Sequence, residues 1–196
     1  VEHNGRALAA AAAGASGPAS ASSQDVPLAA HIEVTRLSLQ AAPGRDQLDA
    51  ELADADAAAQ RGRDGAADRG RQRMLDAHVE WLSAVRGESY GADPAPTSRR
   101  FEVQAVRIGD VALLSLPGEV FAEIGLRIED ASPFRQTTAL AYTNGCHGYI
   151  PTASAYMEGG YEVDDAIRYY GTLMFAPASE SELLTAAASA LREVAQ

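Results

Sequence analysis

The chain has 196 residues, a formal charge of −11 and a pI near 4.7, with 46% hydrophobic and 22% charged residues. That length and composition suit one globular domain with a real core. The acidic balance argues against a nucleic-acid partner and against electrostatic docking on anionic membranes, both of which need clustered cations, and no run approaches the ~20 apolar residues of a membrane span.

Residues 1–25 read as a weakly packed helix and linker. Gly5 to Gly14 (GRALAAAAAG) is helix-prone through its alanines but offers few large side chains for packing. Ser16 to Asp25 is small and polar, as a linker would be. Residues 26–196 carry the folded part. Ile32 to Leu39 predicts a strand, with Ile32 and Val34 alternating before the phase shifts near Arg36. Leu48 to Gln60 and Ala67 to Arg86 predict two helices broken at Gly62 and Gly65. In the second, Leu75, Val79, Leu82 and Val85 define one apolar face, and Trp81 lies off it, either exposed or covering a neighbour.

Gly91 to Pro96 (GADPAP) ends the helical part, and residues 87–99 read as a connection. Phe101 to Ile108 and Val111 to Leu116 flank Gly109-Asp110, a two-residue hairpin signal. Pro117-Gly118 is a turn, and Phe121, Ile124 and Ile128 fall at helical spacing after it. Thr137 to Tyr142 predicts a further strand. Ser179 to Val194 returns to helix, with Leu183, Leu184, Ala187 and Leu191 on one side. Ser179 and Glu182 match a capping box, and Glu180 adds a charge that the helix dipole favours. The whole predicts a mixed α/β fold, a sheet holding the β-hairpin with helices packed against it.

The stretch Leu116 to Glu162 concentrates the chemistry. A strand, Pro117-Gly118, Glu119 and a helix form a strand–turn–helix unit, and such turns lie at the sheet end where open α/β folds place ligands. The 137–142 strand would deliver the loop Asn144 to Thr152 (NGCHGYIPT) to that same end. On spacing alone Glu119 is an acid at the positive end of a helix, worth ~0.3–1 kcal/mol, and Tyr149 a loop aromatic capping a core. Cys146, the single cysteine, can form no internal disulfide and reads as a small packed residue. His3, His31 and His78 stand in no metal-binding pattern.

These residues resemble a known family. Pro117-Gly118-Glu119, Gly125 on the following helix, Asn144 through Thr152, Tyr156 and Tyr161-Glu162 are similar to the neutral ceramidases, zinc-dependent N-acylsphingosine amidohydrolases, above all their shorter bacterial members. The likeness runs from about Arg100 to Glu162 and is loose over residues 1–99. It implies that Glu119 and Tyr149 are ligands of Zn2+, completed by two histidines from the N-terminal half of a catalytic domain. Asn144, His147 and Tyr156 are implied at the rim or behind the ligands. The family's zinc polarises an amide carbonyl and lowers the pKa of its water toward ~7.

With Val1 in place of Met, the likeness leads us to expect residues 26–196 to be the C-terminal portion of such a domain. The partners implied are the missing N-terminal half and a lipid amide substrate, and the family leans to secreted or extracytoplasmic locations. A non-catalytic relative acting as a binding or structural module is the alternative.

Overall fold

The structure, a computed structural model, describes residues 2–15, 25–65, 67–91 and 96–196. Helix α1 (Glu2–Ala15) buries none of its residues, as its alanine content implies: a methyl side chain removes little apolar area from water. The expected linker 16–25 lies, except for Asp25, outside the described residues.

Strand β1 (Leu28–Ser38) is followed by α2 (Arg45–Asp64) and α3 (Arg69–Gly91), which pack as a helical hairpin. Leu82 and Val85 on the expected stripe are fully buried. Trp81 covers a neighbour, donating its indole N–H to the Thr172 carbonyl at 2.7 Å. Helix α3 runs to Gly91, beyond the Arg86 end read from the sequence. The reason is local: Ser89 is buried and the Tyr90 hydroxyl donates to the Pro43 carbonyl, so the last turn has tertiary partners. Residues 92–95 of the expected connection lie outside the described residues.

Strands β2 (Ser98–Ile108) and β3 (Val111–Ser115) form the expected hairpin around Gly109, whose φ of 62° suits a tight two-residue turn. A two-residue strand β4 (Glu119–Val120) and helix α4 (Ala122–Asp130) lead to β5 (Gln136–Leu140), which lies parallel to β3. The main sheet has the order β1-β2-β3-β5, antiparallel except for its last pair. Beyond it come β6 (Tyr149–Ile150), the short helix α5 (Ala155–Glu158), a helical turn over 161–169 and helix α6 (Ser179–Ala195). The fold is therefore mixed α/β.

One sheet face is the core. Phe101, Val103, Ala105, Ala112 and Leu114 are fully buried there beneath Leu183, Ala187 and Leu191 of α6 and Ile124 of α4. Along β1 the phase shift has a simple cause: Leu37 and Leu39 point into this core, whereas Ile32 and Val34 point to the other face and stay half exposed. Among the described residues no helix is long and apolar enough to cross a membrane.

The capping box at α6 is not formed. Helix α6 starts after Ala178 without a side-chain cap, and Ser179 donates its hydroxyl to the Ser38 carbonyl. Glu182 instead accepts from the backbone N–H and hydroxyl of Ser38, at 2.7 and 2.6 Å. A long-range partner at the end of β1 outcompeted the local one, and it fastens α6 to the sheet. Glu180, expected only to complement the dipole, is buried and paired with Arg127 and the Ala153 N–H. Replacing Glu182 with alanine leaves two Ser38 donors without an acceptor. The urea midpoint should fall by the equivalent of about 1.5–3 kcal/mol, and less for Glu182→Gln.

A candidate site where a carboxylate meets three tyrosines

Parallel pairing of β3 with β5 makes both strands leave the sheet at the same end. There Pro117-Gly118 and the loop after Tyr142 run against each other. The Gly118 N–H closes its own turn on the Leu116 carbonyl, and hydrogen bonds from Tyr142 N–H to the Gly118 carbonyl (3.0 Å) and His147 N–H to the Pro117 carbonyl (3.0 Å) set the two loops in register. Gly118 eases this close approach, since a Cβ there would lie 3.1 Å from the Gly148 carbonyl oxygen, tighter than ordinary contact. The loops then pair as the small parallel sheet β4–β6, with Glu119 directly opposite Tyr149. The Glu119 N–H donates to Gly148 at 2.9 Å.

Opposed residues of adjacent strands point to the same face, so carboxylate and phenol share one side. The Glu119 carboxylate accepts hydrogen bonds from Tyr142 on one oxygen and Tyr170 on the other, and Tyr149 stands directly opposite on β6. Edge-on contacts with Phe121 and Tyr161, at 6.5 and 6.3 Å between centroids, hold the Tyr149 ring. Gly148, with φ of 107°, leaves room for the Tyr170 ring against the backbone. Tyr142 itself adopts a φ of 58°, uncommon for a residue with a side chain.

Electrostatics follow from this geometry. Partial burial pushes the Glu119 carboxyl up, but the hydrogen bonds from Tyr142, Tyr170 and Tyr149 outweigh it and hold the group below its ordinary value. In return the bond to Glu119 raises the exposed Tyr142 phenol to about 12. The same bond raises Tyr149, and burial followed by the bond to Glu119 raises Tyr170. Among the described residues no cation pairs with Glu119. The arrangement is an ionised carboxylate ringed by neutral donors, a place able to take a cation.

The other residues singled out in the sequence lie around or behind this cluster. Asn144, with φ of 67°, donates to Gln104 at 2.9 Å. The half-buried His147 ring packs on Phe101 at 5.7 Å, and burial together with Arg99 lowers its basicity. The Tyr156 hydroxyl donates to the Phe175 carbonyl at 2.8 Å, apart from Glu119. Cys146 is exposed, its sulfur 3.9 Å from the Tyr170 hydroxyl. His31 faces Glu33 at 3.5 Å and His78 stacks on Trp81 at 6.1 Å, so neither reaches the cluster.

Sequence reasoning missed Tyr142 and Tyr170. Their only signal is composition: six of the seven tyrosines fall between positions 142 and 170. Nothing in their spacing from Glu119 announces a shared hydrogen-bond acceptor.

No family model and no curated protein matches the chain. Among solved structures, a neutral ceramidase from Pseudomonas aeruginosa is similar at 24% identity, over 49% of this chain and 15% of that one, with a TM-score of 0.38. A ceramidase complexed with C2 is similar at 29% identity, over 50% of this chain and 15% of that one, also with a TM-score of 0.38. The matched part thus spans about half of this chain and 15% of the length of either ceramidase.

The cluster has a pH signature in the metal-free chain. Glu119, depressed in the fold, contributes its stability fully above the unfolded value of ~4.3 and loses it as pH falls through the lower folded value. Tyr142, raised, contributes below its unfolded value of ~10 and loses that as pH rises through about 12. Tyr142→Phe should move the Glu119 carboxyl up in a carbon-13 NMR titration. Glu119→Gln should return Tyr142 toward ~10 by tyrosinate absorbance.

Proposed function

We propose that this chain is the C-terminal part of the catalytic domain of a zinc-dependent amide hydrolase acting on ceramide-like N-acyl lipids, with Glu119 and Tyr149 as two of its zinc ligands. The observation that carries this reading is their pairing: directly opposite each other on β4 and β6, on one face of that small sheet. Two ligands of one ion need that proximity.

The donor set suits a dication as far as it goes. Both groups offer hard oxygen, and Glu119 holds a negative charge that no described side chain neutralises. Tyr149 must share or lose its raised proton to ligate, which a nearby dication favours. Tyr142 and Tyr170 would keep the carboxylate oriented from outside the ligand set. The imidazoles implied by the family resemblance would come from the upstream half. When bound, zinc supplies Lewis-acid polarisation of the amide carbonyl. Tyr149 and Tyr161 would present aromatic surface beside it for an apolar substrate.

The alternative is a non-catalytic relative acting as a binding or structural module. Calorimetric zinc titration separates the two. The chain alone should bind zinc weakly, through oxygen only. Glu119→Gln and Tyr149→Phe should abolish that binding, and Tyr142→Phe or Tyr170→Phe should weaken it about 10- to 100-fold. Adding the upstream half should give tight binding and amidase activity that Glu119→Gln removes. Zinc affinity unchanged by both ligand variants would reject the site.

A further inference from the structure

The pair that sets Glu119 opposite Tyr149 is only two residues long on each strand. The Glu119 N–H donates to the Gly148 carbonyl at 2.9 Å and the Phe121 N–H to the Ile150 carbonyl at 3.1 Å. So short a pairing is marginal by itself, since even isolated hairpins barely hold in water. On the side where the chains enter, the bonds at Pro117 and Gly118 fasten it. On the side where they leave, the chains part: β4 runs into α4, and β6 into the segment 151–154. That end needs a tie of its own.

One side chain reaches both departing segments. Arg127 stands on α4, eight residues after Glu119, and Ala153 lies four residues after Tyr149. Arg127 donates to one oxygen of Glu180, and the Ala153 N–H donates to the other at 2.7 Å. The links back to the pair are stiff. The Ile124 and Gly125 N–H groups close the start of α4 on the Phe121 carbonyl, at 3.0 and 3.3 Å. Ile150, Pro151 and Thr152 are all buried.

Glu180 is also a fixed point. Helix α6 is seated on the main sheet through Leu183 and Leu191 and is tied to Ser38 by Glu182. Among the described residues Glu180 is the one charged side chain that is buried. An exposed acid would serve the helix dipole equally well, whereas a buried carboxylate is costly unless it is paired and hydrogen-bonded. Its place is explained by what it joins.

We propose that Glu180 is a positioning residue for the site, one oxygen holding β4 through α4 and the other holding β6 through Ala153. The register of Glu119 against Tyr149 is thereby referred to the main sheet. The clamp itself needs no metal; only its effect on metal affinity rests on the zinc reading.

The test is amide exchange on the metal-free 196-residue chain, read by NMR. Glutamine at 180 keeps the shape but offers one acceptor oxygen where two donors wait, so one arm is lost. In Glu180→Gln the Glu119 and Phe121 amides should exchange about 10- to 100-fold faster, while those of the β2–β3 ladder keep their rates. Arg127→Gln, at a side chain 58% exposed and so tolerant of change, should give the same selective effect from the α4 arm. It decides the matter if Glu180→Gln does not fold. An ion pair that merely stabilises the fold would quicken the ladder amides together with Glu119 and Phe121, or leave all of them unchanged. Either result overturns the proposal. In calorimetry, Glu180→Gln should bind zinc about 10- to 100-fold more weakly than the unaltered chain, and equal affinity in the two would also overturn the clamp. An unaltered chain that takes up no zinc rejects the zinc reading alone, and the exchange rates still decide the clamp.

Discussion

The parallel pairing of β3 with β5 is the constraint on which the site rests. An antiparallel partner would have carried the chain away to the opposite end of the sheet. Because α4 forms the crossover, Leu116 and Leu140 emerge together, joined by a 2.9 Å hydrogen bond. Every later contact between the Pro117-Gly118 turn and the 142–150 loop elaborates that shared exit. Gly118 then lets one backbone come against the other, and β4 and β6 convert proximity into register. Register is what puts Glu119 and Tyr149 on one face, since a slip of one residue would turn either side chain to the other side.

Three glutamates illustrate how partners decide what a carboxylate does. Glu182 is consumed by the backbone and hydroxyl of Ser38 and acts as a clamp between helix and strand. Glu180 is buried, and Arg127 offsets its charge. Glu119 is surrounded by phenols, which stabilise its ionised form without cancelling its charge. Neutral donors preserve a local negative potential that an arginine would have removed. That difference, not the presence of an acid after a turn, is what sets Glu119 apart from the other two.

The sheet shows the same economy at its borders. Outward groups near helices are closed by carboxylates, at Ala139 and at Ser38. Among the described residues nothing covers the run from Leu28 to Arg36, and Leu28, Ile32, Val34 and Ile108 expose apolar surface on the face away from α6.

Much of the secondary structure was legible because it rests on local physics. The Gly109-Asp110 turn and the buried Leu82 and Val85 of the expected stripe follow from turn chemistry and period alone, as does the strand expected over 137–142, which the structure ends at Leu140. The likeness around Pro117-Gly118-Glu119 and Tyr149 was legible as a motif, and so was the expectation that both loops reach one end of the sheet. What the sequence could not contain were partners chosen by long-range packing. Glu182 left its local cap for Ser38, 144 residues away in the chain. Helix α3 outran its sequence-read end because Tyr90 found Pro43. Tyr170 reached Glu119 across 51 positions. A hydrogen bond of that kind depends on where two strands and a loop converge in space. Local propensity decided which elements exist, and only their three-dimensional packing decided which polar groups they bring together.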